Sequence, residues 1–339
     1  MSELRLNRAT KDWIIVAKER VKRPHQFSAG SVGRGEKHKE KFPAFDPTCP
    51  FCPGNENKTP PEVFALRDKD TKPNRPGWRI RVVTNKYPAL EPMRKTSKIT
   101  GEFFKRTMGL GKHEVIIESS QHNKSLATLS LKQVEEVCEI YWKRYLALKD
   151  DKRFKLIIIF RNHGFSAGTS LKHPHSQLIA LPLVPTSIRH LLEEATRYYG
   201  DHGSCVFCDM IQEELVYKKR IILDSREFVV FHPFASRAPF ETWIVPKKHN
   251  ACFGNIGPKE AHAMARVLKE ILGKLYLKLK DPDYNLMIRT APIKDAQEDY
   301  YHWYIQILPR LTIPAGFELG SGVYINASLP EETAKFITR

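Results

Sequence analysis

Residues 173–182 read HPHSQLIALP, and residues 302–309 read HWYIQILP. Both stretches begin with histidine, have histidine or tyrosine two positions later, and carry glutamine four positions after the first histidine. Each continues as an apolar run that ends in proline, which is typical of a β-strand closed by a turn. The recurrence predicts an internal duplication, and the duplication decides the fold.

Two further histidines keep the same register in both copies. His122 lies 51 residues before His173, and His249 lies 53 residues before His302. A glutamate stands eight positions before the first histidine of each pair, and an asparagine follows it directly. Several coincidences in one order indicate a duplicated gene segment.

The elements between these histidines also repeat. In each half a CxxC pair is followed by strand-like stretches, a helical pattern at about 131–149 or 259–280, and a further strand. We therefore predict an α+β protein of two halves, residues 1–185 and 186–339, with mostly antiparallel strands and a helix packed on one face. Residues 182–204 form the connector, which contains two prolines and a short amphipathic helical pattern.

Composition is that of a globular protein with an excess of basic residues. The 339 residues are 41% hydrophobic and 27% charged, and the formal net charge is +17. Nucleic acid, phosphorylated small molecules or a solvated lysine-rich surface would each account for this charge. There is no run of about 18 apolar residues for a membrane span, and the N-terminal stretch lacks the features of a signal peptide. We expect a cytoplasmic protein that binds no membrane.

The cysteines indicate metal binding. Four of the six form two CxxC pairs, which in a reducing compartment are more often metal clips or redox motifs than disulfides. Together with the duplicated histidines they give two Cys2His2 sets, which favour tetrahedral zinc over copper or iron. One or two Zn²⁺ ions per chain would be structural, because four protein ligands leave no open position. The predicted ligands are Cys49, Cys52, His122 and His173 in the first half, and Cys205, Cys208, His249 and His302 in the second. Of the remaining cysteines, Cys138 is predicted to be a core residue and Cys252 a loop residue.

If His173 binds metal, His175 is left as a free imidazole. Residues i and i+2 of a strand share a face, so the His175 ring points toward the same region as His173. The corresponding residue of the second half is Tyr304, so the duplicated fold carries a single imidazole nucleophile. We predict that His175 attacks phosphorus and forms a covalent phosphoramidate, which divides one difficult displacement into two easier ones.

The neighbourhood of His175 suits a phosphate. The segment NHGFSAGTS, residues 162–170, offers backbone N–H groups and hydroxyls, and Gln177 adds an amide donor. His113 and His163 have no histidine counterpart in the second half, so both remain secondary candidates for a site role.

The motif HPHSQ resembles the H-P-H-x-Q active-site motif of the galactose-1-phosphate uridylyltransferases, the transferase branch of the histidine triad superfamily. The resemblance runs nearly end to end through DWIIVAKERVKRP, CPFCPGNE, VVTNKYPAL, RNHGFSAGTS and AGFELGSG. It implies a half-barrel sheet and the following substrate-binding residues: Arg20 and Arg23 at the phosphates, Asn85 at the nucleotide, Asn162, Gly168, Thr169 and Ser170 in the loop, and Phe317 and Glu318 at the hexose.

The resemblance also implies a reaction. His175 would take the uridylyl group from UDP-glucose, release glucose-1-phosphate, and pass the group to galactose-1-phosphate. It further implies a homodimer whose active sites are completed by the neighbouring subunit. Ser176 replaces the usual glycine, and GFELGSGVYIN is similar to a plant-type branch that phosphorolyses ADP-glucose, so uracil and adenine both remain open.

Two other functions are compatible with the residues. A zinc-bearing nucleic-acid-binding protein would explain the charge and the CxxC pairs, although no recognition helix or aromatic stacking platform is evident. A hydrolase of dinucleoside polyphosphates would use the same histidine with water or phosphate as acceptor.

Overall fold

The computed structural model describes residues 2–22, 42–92 and 99–339. Its strands are β1 (Glu3–Leu6), β2 (Trp13–Val16), β3 (Glu62–Arg67), β4 (Trp78–Thr84), β5 (Lys112–Ile117), β6 (Leu156–His163), β7 (His175–Leu181), β8 (Ile221–Asp224), β9 (Phe228–Phe231), β10 (Thr242–Pro246), β11 (Tyr284–Arg289), β12 (Tyr304–Pro309) and β13 (Tyr324–Asn326). Its helices are α1 (Leu131–Lys149), α2 (Thr186–His202), α3 (Val206–Tyr217), α4 (Pro258–Leu279), α5 (Gly316–Ser321) and α6 (Pro330–Thr338). The two long helices predicted from the sequence are confirmed.

Ten strands form one antiparallel sheet in the order β3-β4-β5-β7-β6-β11-β12-β10-β9-β8. The first half contributes β3, β4, β5, β7 and β6, and the second contributes β8, β9, β10, β12 and β11 in mirrored order. The halves join where β6 pairs with β11. The predicted α+β fold of two duplicated halves in a mostly antiparallel half-barrel is confirmed.

Helices α1 and α4 pack against each other and share one apolar core with the sheet. Helix α1 begins with a capping box, in which the Ser130 hydroxyl accepts from Gln133 N and the Gln133 side chain accepts from Ser130 N. Cys138 lies on the buried face of α1 and is 0% exposed, as predicted for a core residue. Pro258 occupies the first turn of α4, where its missing N–H has no cost.

A small sheet of β1, β2 and β13 lies against the second half. Arg5 on β1 donates to the carbonyl of Phe234 over 3.1 Å, and Asn326 on β13 donates to the carbonyl of Ser236 over 3.1 Å. The N-terminal strands therefore belong spatially with the C-terminal half, which the duplicated pattern did not predict.

One local expectation differs from the structure. The connector helix α2 has 17 residues and is longer than the short helix predicted, because its apolar side packs on the second half and it continues until Gly203 adopts φ 69°. Cys252 lies in a loop, as predicted, and is buried there with its Sγ 3.1 Å from the Tyr145 hydroxyl. Within the described residues, no helix is both long and apolar enough to cross a membrane.

Candidate active site and metal centres

His175 is the first residue of β7 and is 7% exposed. Its Nδ1 lies 2.8 Å from the backbone carbonyl oxygen of His173. A carbonyl can only accept, so Nδ1 carries the proton and Nε2 carries the lone pair. Burial lowers the pKa of His175, which keeps the ring neutral at physiological pH. The ring is thus held in the tautomer that a nucleophile attacking through Nε2 requires.

The first half brings together four residues that could hold a metal ion. The ligand atoms of Cys49, Cys52, His122 and His173 all lie within 4.8 Å of one another, and all four side chains are buried. Cys52 Sγ lies 3.5 Å from His122 Nδ1 and 3.6 Å from His173 Nδ1. Burial raises the pKa of the Cys49 thiol to about 11, so the thiol is protonated at neutral pH when no cation is bound. A bound metal ion would favour the thiolate form.

Backbone groups orient this cluster. The N–H of Phe51 points at Cys49 Sγ over 3.4 Å, and the N–H of Asp46 points at Cys52 Sγ over 3.3 Å. His173 Nε2 donates to the carbonyl of Ser119 over 2.7 Å, which leaves Nδ1 facing the sulfur. Such a carbonyl partner is typical of a metal-binding histidine.

The second half brings together three of its four predicted ligands. Cys205, Cys208 and His249 form a group that could hold a metal ion, with Cys208 Sγ 3.2 Å from His249 Nδ1. His302 is not part of that group, and its Nδ1 donates to the carbonyl of Trp303 over 2.8 Å. The two histidine rings nevertheless lie 5.3 Å apart at 80°, as the rings of the first pair do. His302 Nε2 is buried and has no hydrogen-bond partner among the described residues.

The second half also holds the loop at residues 162–170. Asn285 on β11 donates to Asn162 Oδ1 over 2.9 Å and to the carbonyl of Ala167 over 2.8 Å. Asp283 accepts from the N–H of Ser166 over 2.7 Å. Gly164 and Gly168 adopt φ 83° and 84°, which side-chain-bearing residues rarely do. Thr169 is half-buried, whereas Gly168 and Ser170 are exposed.

Two of the remaining predicted site residues meet at His113. Gln177 Oε1 lies 2.7 Å from His113 Nε2, and Asn85 Nδ2 lies 3.2 Å from the same atom. The other secondary candidate is His163. Its Nε2 lies 2.8 Å from Asp281 Oδ1, and its ring is stacked on Tyr284.

Three predicted substrate residues lie elsewhere in the chain. Arg20 is exposed in a 3-10 turn that follows β2. Phe317 is 52% exposed on α5, and the Glu318 carboxylate accepts from Ala315 N at the start of that helix. The described contacts join none of them to His175, and Arg23 falls outside the described residues.

The sequence patterns did not predict a buried polar network that lies next to His175. Glu118, which is 1% exposed, accepts from Arg161 Nε at 3.1 Å and from the Tyr141 hydroxyl at 3.0 Å. Ser176 also donates to Glu118, and Arg161 donates to the Tyr284 hydroxyl of the second half. The available signal was the presence of charged residues within two apolar strands, VIIESS and IIIFRN.

The fold and site together define a duplicated half-barrel protein with a cysteine–histidine cluster in each half and, beside the first cluster, the unclustered imidazole of His175. Family models agree with this description over most of the chain. The Galactose-1-phosphate uridyl transferase N-terminal domain matches residues 1–185, and the C-terminal domain of the same family matches residues 192–321. The chain belongs to the galactose-1-phosphate uridyl transferase family, a family of nucleotidyltransferases.

Relatives of two named activities are similar to the chain. An ADP-glucose phosphorylase of Arabidopsis thaliana is 36% identical over 98% of this chain and 91% of the relative. A galactose-1-phosphate uridylyltransferase of Thermotoga maritima is 30% identical over 99% of this chain and 97% of the relative. The crystal structure of an Arabidopsis ADP-glucose phosphorylase with bound ADP-glucose has a TM-score of 0.82 at 34% identity, and covers 100% of this chain and 99% of that one.

Proposed function

We propose that the protein is a hexose-1-phosphate nucleotidylyltransferase that works through a nucleotidyl-His175 intermediate. The observation that carries the proposal is the fixed tautomer of a buried histidine, whose Nδ1 donates to the His173 carbonyl and whose Nε2 is left to react. The first candidate activity is the one for which the family is named, transfer of the uridylyl group of UDP-glucose to galactose-1-phosphate. The assignment also draws on the uridylyltransferase relatives.

In the first step, the Nε2 lone pair of His175 attacks the α-phosphorus of the nucleotide sugar. The phosphorus–oxygen bond to the β-phosphate breaks, and glucose-1-phosphate leaves with that electron pair. In the second step, a phosphate oxygen of the acceptor attacks the same phosphorus and His175 is released. Donors on Gln177 and on the loop at residues 162–170 would stabilise the charge on the non-bridging oxygens.

We propose that zinc occupies the Cys49, Cys52, His122 and His173 cluster. Sulfur and nitrogen ligands of one tetrahedral zinc ion lie roughly 3.6 Å apart, which fits the 3.5 and 3.6 Å separations at Cys52. The ion would hold the CxxC turn against β7 and so fix the backbone of His173. A second zinc would bind Cys205, Cys208 and His249, with His302 as fourth ligand after its ring turns.

Phosphorolysis of ADP-glucose is the second candidate activity. It is favoured by the higher identity and high TM-score of the Arabidopsis relatives. The histidine chemistry would be the same, with an adenylyl group on His175 and inorganic phosphate as acceptor.

We further propose that the protein is a homodimer, as the resemblance implies, and that it is cytoplasmic. Arg20 and Phe317 are exposed on elements that no described contact joins to His175, so a second copy could present them to it. Size-exclusion chromatography with light scattering tests this proposal, and a monomer would contradict it.

The decisive experiment is a panel of radiolabelled UDP- and ADP-sugars incubated with the protein alone. We expect one of them to release about one equivalent of sugar-1-phosphate and to leave an acid-labile nucleotide on the protein. Chasing with galactose-1-phosphate or inorganic phosphate then identifies the acceptor. A lack of labelling by every nucleotide sugar would overturn the proposal.

A further inference from the structure

His113 is a buried histidine that the proposed mechanism does not yet use. It is 7% exposed and lies on β5, which pairs with β7 so that Val115 stands opposite Gln177. The side chains of His113, Gln177 and His175 lie on the same side of these paired strands, because alternate residues share a face. Its ring contacts two predicted site residues, the amide donor Gln177 and the nucleotide-site residue Asn85.

The contacts of His113 fix its tautomer. The backbone N–H of Ala89 donates to Nδ1 over 3.2 Å, so Nδ1 must carry the lone pair. The proton of the neutral ring then lies on Nε2 and is donated to Gln177 Oε1 over 2.7 Å. Asn85 Nδ2, which lies 3.2 Å from Nε2, is itself a donor and is therefore in contact with the ring without hydrogen bonding to it. Burial lowers the pKa of His113 and favours this neutral form.

This hydrogen bond orients the Gln177 amide. With Oε1 held by His113, the NH₂ end becomes the free end of the side chain. Within residues 2–22, 42–92 and 99–339, Gln177 Nε2 has no protein acceptor. The amide is therefore kept as a donor for a group that is not part of the chain.

The second half provides an internal comparison. Its counterpart of Gln177 is Gln306, whose Oε1 accepts from Arg289 over 2.8 Å and whose Nε2 donates to Glu241 over 2.7 Å. The counterpart of His113 is Phe240, which has no hydrogen-bonding group on its side chain. The half without a nucleophile thus uses both ends of its glutamine internally, whereas the half with the nucleophile leaves the donor end free.

We propose that His113 is a positioning residue for nucleotidyl transfer, which orients the Gln177 amide toward the phosphate. The inference rests on the proposed function and deepens it. His113 touches no reacting atom in this scheme and acts through Gln177.

The test measures the rate at which the nucleotide sugar that labels the wild type transfers its nucleotide to His175. His113→Phe keeps a ring but removes both nitrogens, and we expect labelling to slow about 10- to 100-fold. His113→Gln places an amide N–H near the position of Nε2, and we expect it to recover most of the rate. The side chain of His113→Asn is too short to reach Gln177, so this variant should label as slowly as His113→Phe. It provides the same test if His113→Phe does not fold.

A double-mutant cycle separates positioning from a structural role. In a Gln177→Ala background, His113→Phe should change the labelling rate less than about twofold, because its partner is already missing. The inference would be overturned if His113→Phe slowed labelling by the same factor with and without Gln177. A wild-type labelling rate in both His113→Phe and His113→Asn would also overturn it. Failure of the wild type to be labelled would instead overturn the proposed function, so the two failures are distinguishable.

Discussion

The Nδ1 of His175 donates to the backbone carbonyl of His173, while the Nδ1 of His173 faces Cys52 Sγ across 3.6 Å. One histidine of the motif therefore orients the other through the main chain. A change in metal binding at His173 would be felt as a change in the position of the His175 ring.

The two histidines should fail in different ways when replaced. We expect His175→Ala to abolish covalent labelling while metal content and melting temperature stay near the wild-type values. His173→Ala should lose one metal equivalent and lower the melting temperature by several degrees, because the cluster contributes folding free energy. Elemental analysis and thermal denaturation measure both. Wild-type metal content in His173→Ala would contradict the assignment of that ligand.

The second cluster should behave as an independent metal site. We expect two zinc ions per wild-type chain, and one in Cys208→Ser, since a hydroxyl is a poor substitute for a thiolate. His302→Ala should also lower zinc occupancy if the His302 ring turns toward the ion. Two ions retained in His302→Ala would show that three residues of the chain suffice there.

The buried pair of Glu118 and Arg161 should be costly to break. The side chains are 0% and 2% exposed, so Glu118→Ala leaves an unpaired buried guanidinium. We expect a loss of about 3–5 kcal/mol in the free energy of unfolding, measured in urea. Asp68→Ala, which removes the exposed partner of Arg79, is the matched control and should cost less than about 1 kcal/mol. Equal losses of unfolding free energy in Glu118→Ala and Asp68→Ala would contradict the expectation that the buried pair is costlier to break than the exposed pair.

Asn285 should affect substrate binding although it lies in the second half. Its amide holds Asn162 and the carbonyl of Ala167, so Asn285→Ala should loosen the loop and raise the KM for the nucleotide sugar severalfold. The control is Asn255→Ala, which likewise removes two amide hydrogen bonds, to the carbonyl of Ala296 and to Asn250 Oδ1, and should leave KM unchanged. Steady-state kinetics of both variants test the claim, and equal KM values would count against it.

His232 should make stability depend on pH. Burial lowers its pKa to about 3, against about 6.5 in an unfolded chain. Between these values only the unfolded state binds the proton, so the free energy of unfolding falls as pH drops from 6.5, by up to about 1.4 kcal/mol per pH unit. Urea unfolding of His232→Asn should show a smaller slope. Thr333→Val removes the 2.7 Å bond to His232 but keeps the ring, and should destabilise the protein while retaining the slope.

Much of the fold was predictable because duplication repeats a local pattern. The two long helices and the main strands follow from apolar periodicity, and the matched histidine spacings showed that the same unit occurs twice. The helix α2 was predicted too short, because its length depends on packing against the second half. The division at residues 185 and 186 stays a prediction.

The site was predictable only in part. The sequence singled out the four residues of the first cluster, and the structure brings them together, but their role as zinc ligands stays a prediction. It gave no sign that His113 would meet Gln177, or that Asp283 and Asn285 would hold the loop of the other half. Those contacts join residues 64 to 123 positions apart, and no local period encodes such a distance.

The sequence by itself determined the repeated unit, the CxxC pairs and the replacement of His175 by Tyr304 in the second copy of the motif, because each is a matter of residue type and spacing along the chain. Tertiary structure alone decided which nitrogen of His175 is free, which residues orient Gln177, and that His302 does not join the group formed by Cys205, Cys208 and His249. Hydrogen-bond direction depends on where strands from distant segments place their carbonyl and N–H groups, and only the paired sheet fixes those positions.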